Sequence, residues 1–348
     1  MVEITKVKFE YKKRVKKNSV VILSLFLLLI LVSIISISIG ASSVNFKTVI
    51  EVLMNKFFNI GEVSDLSKVV VLDIRIPRVI IAIFAGVALS NAGLLMQGVF
   101  QNPLVSPYTL GISNGASFGA ALAIVMGLQF TFLGVYAVPL FAFIFSIVTM
   151  ILVYGISKLA KDSSKSLILC GVAVGYLFSS LVSLLKYISN NNDLPEIVFW
   201  TMGSLSNIKI EGTILITISS IISLGIIMYN AWKFNVITYG KETALSLGVN
   251  YNKISRLGLI ICTLMTGVTV AFTGIIGFVG LIAPHITRRI VGNDYRILAP
   301  TSSLVGALLL LASDTVARNI IAPIELPIGV ITSIVGVPFF IYLIIKKR

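Results

Sequence analysis

An uninterrupted apolar run near the start of the chain places the tightest limit on its fold. Residues 20–39 carry no charged side chain and consist mainly of Val, Ile and Leu. An α-helix rises about 1.5 Å per residue, so about 20 such residues match the hydrocarbon core of a bilayer, which is about 30 Å thick. The run therefore predicts a transmembrane helix, and further runs of the same kind follow.

Composition extends this prediction to the whole chain. Of the 348 residues, 57% are hydrophobic and 12% are charged, whereas soluble domains carry about 25% charged residues. So little charge cannot cover a soluble fold of this length, which excludes a soluble enzyme, and disorder is excluded because it requires low hydrophobicity. The net charge of +14 could indicate a nucleic-acid partner. The basic residues lie between apolar runs and form no basic face, so we expect no such partner.

Ten apolar segments recur along the chain, and they predict an all-α, polytopic membrane protein with about ten transmembrane helices. We expect a basic cytoplasmic tail over residues 1–19 and a single transmembrane domain over residues 20–348. The segments lie near residues 20–40, 79–100, 109–128, 134–157, 166–188, 212–231, 256–275, 279–290, 300–317 and 328–345.

The charges between the segments predict their orientation. When the segments alternate in direction from an inside start, the outer loops hold only eight of the 28 Lys and Arg residues. Cytoplasmic loops of membrane proteins are enriched in Lys and Arg, so this asymmetry predicts that both termini are cytoplasmic. The outer basic residues are Lys47, Lys56, Lys68, Arg75, Arg78, Lys186, Lys209 and Arg318.

Two segment boundaries leave alternatives. Residues 257–284 can form one overlong span or two elements split near residue 278. The split keeps the basic C-terminus inside, and it predicts a broken helix surrounded by protein or by a water-filled path. The first apolar run could also belong to a signal peptide. At about 20 residues it is longer than the usual apolar core of one, so we expect a retained span.

A weak internal repeat relates two parts of the chain that lie in segments of opposite direction, as in an inverted repeat. Small residues also recur in any membrane protein with closely packed helices, so this alternative stays open. With a shift of 181 residues, Ile80, Gly86, Val87, Gly93 and Pro103 fall on Ile261, Gly267, Val268, Gly274 and Pro284.

Side chains for covalent chemistry or metal binding are scarce. His285 is the only histidine, and the two cysteines, Cys170 and Cys262, lie in separate apolar segments without a CxxC pattern. The one Gly-Lys pair, at residues 240–241, is followed by an acidic residue, where a phosphate-binding loop needs Ser or Thr. We therefore expect no catalytic, metal-binding or cofactor-binding residues, and any ATP hydrolysis must take place on another polypeptide.

Polar, Gly- and Pro-rich motifs interrupt the ends of the segments. They are DIRIPR (73–78), MQGVFQNPLVSPYTLGISNGASFGA (96–120), FWTMGS (199–204), GKETALSLG (240–248), GIIGFVGLIAPHITRRIVGNDYR (274–296), and a last one from SDTVAR to ELPIG (313–329). With these motifs in this order, from about Arg75 to Ile345, the sequence resembles the permease subunits of iron-siderophore, haem and cobalamin importers. These form the FecCD-like branch of type II ABC importers.

This resemblance implies an assembly in the bacterial plasma (inner) membrane, surrounded by membrane lipid. A second permease subunit, either identical or a sister chain, would form a central path with this one. Two ATP-binding cassette subunits would lie on the cytoplasmic side, and a substrate-binding protein would dock from outside.

The resemblance also implies a docking site for the binding protein. In the family, arginines of an RxPR motif and one near the outer end of the ninth helix receive glutamates from the binding protein. The matching positions are Arg75, Arg78 and Arg318, and planar guanidinium groups suit paired contacts with carboxylates. Alternatively, these arginines anchor helix ends at the lipid headgroups or pair with Asp73 and Asp314 in the same subunit.

The NPL motif matches the family's cytoplasmic gate, which implies that Asn102 and Leu104 close the path near its axis. Pro103 removes a backbone donor and ends the helix, so a plain helix end is the alternative role for Asn102. Ser164, before the fifth segment, is placed like a second layer of the gate.

The motif GKETALSLG resembles the family's coupling helix, which seats in a groove of the ATPase. The coupling residues would be Gly240, Glu242, Ala244, Leu247 and Gly248. The i, i+3, i+4 spacing of the last three predicts a short helix with a small apolar face between two glycine turns. A solvated loop is the alternative.

We therefore expect a transmembrane permease subunit, not itself an enzyme, of an ATP-driven importer for a ferric siderophore or similar large chelate. The subunit would work by alternating access, and cobalamin or haem are the alternative cargoes within the family. An ion-coupled secondary transporter would need ionisable groups near the bilayer centre, and the segments hold almost none there. A membrane enzyme would need a clustered nucleophile, base or metal set, which the sequence does not supply.

Overall fold

The computed structural model describes residues 2–40, 44–60, 63–131, 133–160, 164–206 and 208–346, with no side-chain detail at residues 2–14, 164, 343, 344 and 346. These residues are mostly helical and include no strand. The α-helices are α1 (Val2–Ser38), α2 (Phe46–Phe58), α3 (Asp65–Lys68), α4 (Ile76–Val99), α5 (Ile112–Val125), α6 (Ala137–Leu159), α7 (Ser164–Ile188), α8 (Asp193–Met202), α9 (Ile210–Tyr229), α10 (Ala231–Ile237), α11 (Lys241–Ser246), α12 (Tyr251–Thr273), α13 (Val279–Val291), α14 (Tyr295–Asn319) and α15 (Ile328–Lys346).

The all-α, multi-pass prediction is confirmed, and each of the ten apolar segments contains a helix. In the described part of the chain, seven helical stretches are long and apolar enough to cross a membrane. They correspond to α1, α3 with α4, α6, α7, α9, α12 and α14. The described apolar parts of α5, α13 and α15 are shorter than this length. The prediction of about ten spans is therefore approximate.

The second span begins earlier than its apolar segment suggests. A helical stretch runs without a break from Asp65 to Val99, and its residues Val69–Arg75 form a π-helix between α3 and α4. The charged residues of the DIRIPR motif lie inside this stretch. They lower its hydropathy there, so the apolar segment predicted from the sequence begins only after them. Turns of π-helix inside longer helices are frequent at functional sites.

The third span is shorter than predicted. A 3₁₀ turn at Pro107–Leu110 precedes it, and Ser106 caps this turn by exchanging hydrogen bonds with Thr109. Gly111 follows with a φ of 73°. Because a residue with a Cβ rarely adopts this conformation, the turn favours glycine, and α5 begins only at Ile112.

The predicted break near residue 278 is confirmed. Helix α12 ends at Thr273, residues 274–277 are not helical, and Phe278 has a φ of 66° before α13 begins at Val279. The overlong span that was the alternative is therefore not formed.

Helix α4 lies at the centre of the bundle and approaches two neighbours closely through glycines. A Cβ added at Gly86 would lie 2.4 Å from Gly306 O in α14, and one at Gly93 would lie 1.7 Å from Gly280 O in α13. Small residues allow such contacts, which drive helix association where lipid provides no hydrophobic effect. The glycines of the weak repeat are all closely packed. Close helix packing was the alternative explanation for their recurrence, so the inverted repeat stays a prediction.

Two ends of the bundle can be defined from these helices. We call the end that carries α10 and α11 the inner end, and the end that carries Gly203 and Arg318 the outer end. Helix α1 continues from the basic tail into its span without interruption and contacts α14, where Thr315 donates to Ser36 Oγ at 2.9 Å. The domain boundary near residue 19 stays a prediction.

Candidate functional site

A groove of about 720 Å³ is lined by the loop after α4, the end of α8, the break between α12 and α13, and α15. Leu104 and Tyr108 line it, together with Met202, Ile275 and Gly329. None of the described residues that line it is charged. A wall without fixed charge can pass a bulky ligand without binding it by ion pairs.

Arg78 lies at the outer end of α4 between two carboxylates. Its Nε and Nη2 each lie 3.0 Å from Asp314 Oδ1, and its Nη1 donates to Glu325 Oε2 at 2.8 Å. Ser206 donates to the same Glu325 oxygen at 2.7 Å. Arg78, Ser206 and Glu325 also line an outer cavity of about 400 Å³. Buried charges require such pairing, because an isolated buried charge costs several kcal/mol (about 3–5 when one partner is removed).

The other two predicted docking arginines contact the outer end of α1. Arg75 donates to Ile37 O at 2.6 Å, and Arg318 donates to Ser36 O at 3.2 Å and to its Oγ at 2.7 Å. Arg318 Nε also lies 3.0 Å from Asp314 Oδ2, as an ion pair without a well-aligned hydrogen bond. The last turn of a helix has unpaired carbonyls and a partial negative charge, so these guanidinium groups stabilise the end of α1.

The outer arginines therefore show the intramolecular pairing that was the alternative to docking. Arg75, Arg78 and Arg318 are 4%, 8% and 6% exposed. Two of them pair with Asp314, which is fully buried, while Asp73 is exposed. The docking role of the three arginines stays a prediction.

Glu325 is the exposed member of this network and lies outside the membrane-spanning helices. Partial burial raises the pKa of its carboxyl, but the hydrogen bonds from Arg78 and Ser206 outweigh that effect. The pKa therefore lies below the usual glutamate value, because these hydrogen bonds favour the charged form. At neutral pH the carboxylate is ionised and pairs with Arg78.

The predicted gate residues follow the C-terminal end of α4, which is capped by two backbone hydrogen bonds. Asn102 N donates to Gln97 O at 3.2 Å and Gln101 N donates to Gly98 O at 3.3 Å, which are the two bonds of a Schellman motif. Asn102 Oδ1 accepts a 3.0 Å hydrogen bond from Leu104 N, and Leu104 is 39% exposed towards the groove. Asn102 thus shapes the loop that carries Leu104, and the gate role of both stays a prediction.

The second predicted gate layer lies partly outside the described residues. Ser164 is the first residue of α7, but its side chain is outside the described part of the structure, and so is Ser163. The role of Ser164 stays a prediction.

Gln97 joins the end of α4 to α13. Its Oε1 accepts a hydrogen bond from Arg288, and its Nε2 lies 3.3 Å from Leu281 O and 3.5 Å from Gly280 O. Pro284 has no N–H to donate to the carbonyl four residues before it, which is that of Gly280. The amide of Gln97 therefore supplies a donor where the helix lacks one. Two of the sequence motifs, MQGVFQNPL and APHITRR, meet at this contact.

Helix α11 lies at the position of the predicted coupling helix. Gly240 precedes it with a φ of 102°, and Gly248 follows it with a φ of 73°. The prediction of a short helix between two glycine turns is confirmed, because both turns adopt conformations that favour glycine. The docking role of α11 stays a prediction.

The predicted apolar face of this helix is wrong. Ala244 is fully buried in the core, whereas Leu247 is 52% exposed and Glu242 is also exposed. The helix ends at Ser246, so the helical spacing from Ala244 to Leu247 and Gly248 does not continue. Leu245, which the prediction did not include, is exposed beside Leu247.

The residues with metal-binding or redox chemistry lie apart. The ring of His285 packs edge-on against Phe339, with 6.4 Å between centroids. Cys170 and Cys262 are free thiols. Within the described ranges, no group of three or more His, Cys, Asp or Glu side chains could hold a metal ion.

Three side chains that hold these sites were not predicted from the sequence: Ser36, Gln97 and Gln101. A proline inside a helix frees a carbonyl, so Pro284 signals that a donor is needed nearby. No feature of the sequence says that Gln97 is that donor. Ser36 lies before the first motif, and no pattern marks it as a partner of Arg318.

The helical bundle, its uncharged groove and the polar motifs at both ends define a multi-pass membrane permease. The family model that matches the chain is the FecCD transport family, over residues 28–346. The chain belongs to this family.

Three relatives and one solved structure agree with this assignment. An ABC transporter permease protein of Methanocaldococcus jannaschii is 40% identical over 98% of this chain and 97% of its own length. The hemin transport system permease protein of Yersinia pestis is 36% identical, over 93% of this chain and 95% of its own. The molybdate import system permease protein of Haemophilus influenzae is 34% identical, over 94% and 96%.

The solved structure is that of an inward-facing ABC transporter of the metal-chelate type. It matches with a TM-score of 0.81 and 33% identity, and the match covers 93% of this chain and 98% of the other. The chain is therefore the membrane-embedded permease component of an ABC transporter.

Proposed function

We propose that this permease belongs to an ATP-driven importer that carries a ferric siderophore or a similar large chelate by alternating access. The uncharged groove of about 720 Å³ is the observation that supports this most. It offers room for a bulky ligand, and Leu104 of the gate motif lines it. The metal-chelate relative supports a chelate as cargo. Cobalamin, haem and molybdate are the alternatives, and the last two are the cargoes named for relatives.

The working unit in this proposal contains a second permease subunit, two ATP-binding cassette subunits and an external binding protein. The groove supports the second permease, because Leu104 and Ile334 on its wall are 39% and 63% exposed in the single chain. A second subunit would complete the wall. The excess of basic residues in alternate loops supports cytoplasmic termini in the plasma (inner) membrane of a bacterium.

Docking of the binding protein falls mainly on Arg78 in this proposal. Of the three arginines, Arg78 lines the outer cavity of about 400 Å³. Its partner Glu325 has a side chain that is 43% exposed, so an incoming glutamate can replace it. Arg75 and Arg318 contribute by holding the end of α1 beside this site.

The ATPase contacts α11 in this proposal. Leu245 and Leu247 are 62% and 52% exposed there, and they offer an apolar contact at the inner end. Glu242 lies on the rim, where a charge orients docking more than it strengthens it. Gly240, Ala244 and Gly248 fix the shape of the helix and its turns.

An import assay tests the proposal. The permease, its ATPase and its binding protein are reconstituted in liposomes and offered a ferric hydroxamate siderophore, haemin, cobalamin or molybdate. We expect ATP-dependent accumulation of the siderophore above that of the other three. Preferred accumulation of another member of this panel would correct the cargo.

The same assay distinguishes the two classes of transporter. Liposomes that contain the permease alone should accumulate no cargo under a proton or sodium gradient. Accumulation under such a gradient, without the ATPase, would contradict the importer and support an ion-coupled secondary transporter.

A further inference from the structure

Gln101, beside the gate motif, adopts an unusual backbone conformation. In the described part of the chain only three residues other than glycine have a positive φ, and Gln101 is one of them, with a φ of 48°. It occupies the position of the Schellman motif that Gly or Asn usually fills, because a Cβ is unfavourable there. An unfavourable conformation persists only where the surroundings hold it.

The side chain of Gln101 supplies that hold. Its Nε2 donates to Ile237 O, the carbonyl of the last residue of α10, at 3.1 Å. Gly240 N donates to the same carbonyl at 3.2 Å, and Gly240 is the residue that leads into α11. One carbonyl therefore joins the turn before α11 to the end of α4.

The backbone around Gln101 positions the gate residue. Asn102 N bonds to Gln97 O, and the side chain of Gln97 is held by Arg288 and by the carbonyls of α13. The loop is thus held by α13 on one side and by the α10–α11 turn on the other. A displacement of α11 would pull on the hydrogen bond from Gln101 to Ile237 O, which we call the amide tie, while the contact of Gln97 with α13 stays fixed.

We propose that Gln101 is a positioning residue that transmits the displacement of α11 to the gate loop at residues 102–104. This inference rests on the proposed function, in which the ATPase moves α11 and Leu104 closes the groove. When the amide tie follows α11, the Schellman end of α4 changes shape and carries Asn102 and Leu104 with it. Without the tie, α11 moves and the gate loop does not follow.

Three substitutions separate this role from a structural one. Gln101→Gly removes the amide and also relieves the unfavourable φ, so the complex should be as stable as the wild type or more stable. Gln101→Ala removes the amide and keeps the unfavourable φ, so the complex should be less stable. Gln101→Lys keeps a donor that can reach Ile237 O, so it should restore part of the coupling.

The measurement uses the reconstituted complex of permease, ATPase and binding protein. ATP hydrolysis and cargo import are measured together, with the cargo that the wild type imports best in the panel above. We expect Gln101→Gly and Gln101→Ala to hydrolyse about tenfold more ATP per imported molecule, the scale set by one lost hydrogen bond at a switch. A melting curve of each complex is recorded in parallel.

A leak assay reports on the gate directly. Liposomes loaded with calcein are exposed to external Co²⁺, which quenches the dye when it enters. In the wild type, ATP should change the rate of Co²⁺ leak. In Gln101→Gly and Gln101→Ala this change should be smaller, because the gate no longer follows α11. Gln101 and Asn293 both line a cavity of about 270 Å³ at the inner end. The control is Asn293→Ala, which removes an exposed amide from the wall of this cavity and should behave as the wild type.

The outcomes separate this inference from the proposed function. If the wild-type complex imports no cargo of the panel, the proposed function is wrong. If the wild type imports and Gln101→Gly couples ATP to import normally, the positioning role alone is wrong. Coupling that falls only in Gln101→Ala, in step with its melting temperature, would also overturn it, because a structural role predicts that pattern.

Discussion

The two ends of α4 are held by different kinds of contact. At the outer end, Arg78 and Arg318 share the buried carboxylate of Asp314. At the inner end, the amides of Gln97 and Gln101 bond to backbone carbonyls, and Gln97 also accepts a hydrogen bond from Arg288. Removing one buried charge leaves another uncompensated at a cost of about 3–5 kcal/mol, whereas exchanging a neutral hydrogen bond costs about 1 kcal/mol. The outer end is therefore held firmly, whereas the neutral hydrogen bond from Gln101 to Ile237 O at the inner end can rearrange at lower cost.

The largest effect is expected at the fixed end. Asp314→Asn leaves the buried Arg318 without its carboxylate partner and leaves Arg78 with Glu325 alone, so we expect the free energy of unfolding to fall by about 3–5 kcal/mol. Unfolding of the purified protein in detergent, followed by heat or by added SDS, measures this change. Asp73→Asn is the matched control, because Asp73 is exposed at the same end. An equal, small effect of both substitutions would remove the difference between the two ends.

A smaller effect on stability is expected at the close approach of α4 and α13, which lies one helical turn before Gln97. A Cβ at Gly93 would lie 1.7 Å from Gly280 O, so Gly93→Ala must push the two helices apart. We expect a loss of about 3 kcal/mol or less, the usual cost of overpacking. The same unfolding measurement reports it, and import should also fall, because Gln97 follows one turn later and would lose its contact with α13.

Gly155→Ala is the control for this contact. A Cβ at Gly155 meets no atom within 4 Å, and alanine favours a helix by about 0.5–1 kcal/mol over glycine. The control should therefore be neutral or stabilising. If Gly93→Ala behaves like Gly155→Ala, α4 and α13 do not need their close approach.

The helices could be predicted from the sequence to a large extent, because apolar runs long enough for a bilayer are a strong signal. The break at residue 278 and the glycine turns around α11 followed from charge balance and residue type. The start of α4 could not be predicted from hydropathy, since Arg75 and Arg78 are charged. They are tolerated inside the helix because their partners come from α1, from α14 and from Glu325.

The contacts that hold the candidate site were the least predictable part. The residues of the Arg78–Asp314 pair are 236 positions apart, and Gln97 and Arg288 are 191 apart. Their meeting depends on how the helices pack, which one sequence does not specify. The apolar face predicted for α11 was wrong for a similar reason, since the helix is too short for the spacing to continue past Ser246.

The smallest effect on stability is expected at the exposed edge of the outer network. Glu325→Gln weakens its contact with Arg78, but the Glu325 side chain is 43% exposed, so solvent screening limits the loss to about 1 kcal/mol or less. The pKa of Glu325 is lowered in the folded protein. The contribution is therefore present at neutral pH and is lost as the pH falls from about 4.3, the usual glutamate value, through the lower folded-state pKa. Unfolding curves of wild type and variant should converge in that range.

The same substitution tests whether the contact between Glu325 and Arg78 can be exchanged. If an incoming glutamate replaces Glu325 on Arg78, then Glu325→Gln removes the internal competitor, and the binding protein should dock more tightly by up to about tenfold, the scale of one charge-assisted hydrogen bond. Binding of the binding protein to the permease complex in nanodiscs measures this at neutral pH, and the gain should shrink as salt screens the pair. Glu51→Gln, an exposed acid on α2 that pairs with Lys47 at 3.8 Å, is the control. Weaker docking by Glu325→Gln than by Glu51→Gln would mean that Glu325 itself contacts the partner, and Arg78 would then belong to the fixed framework with Arg318.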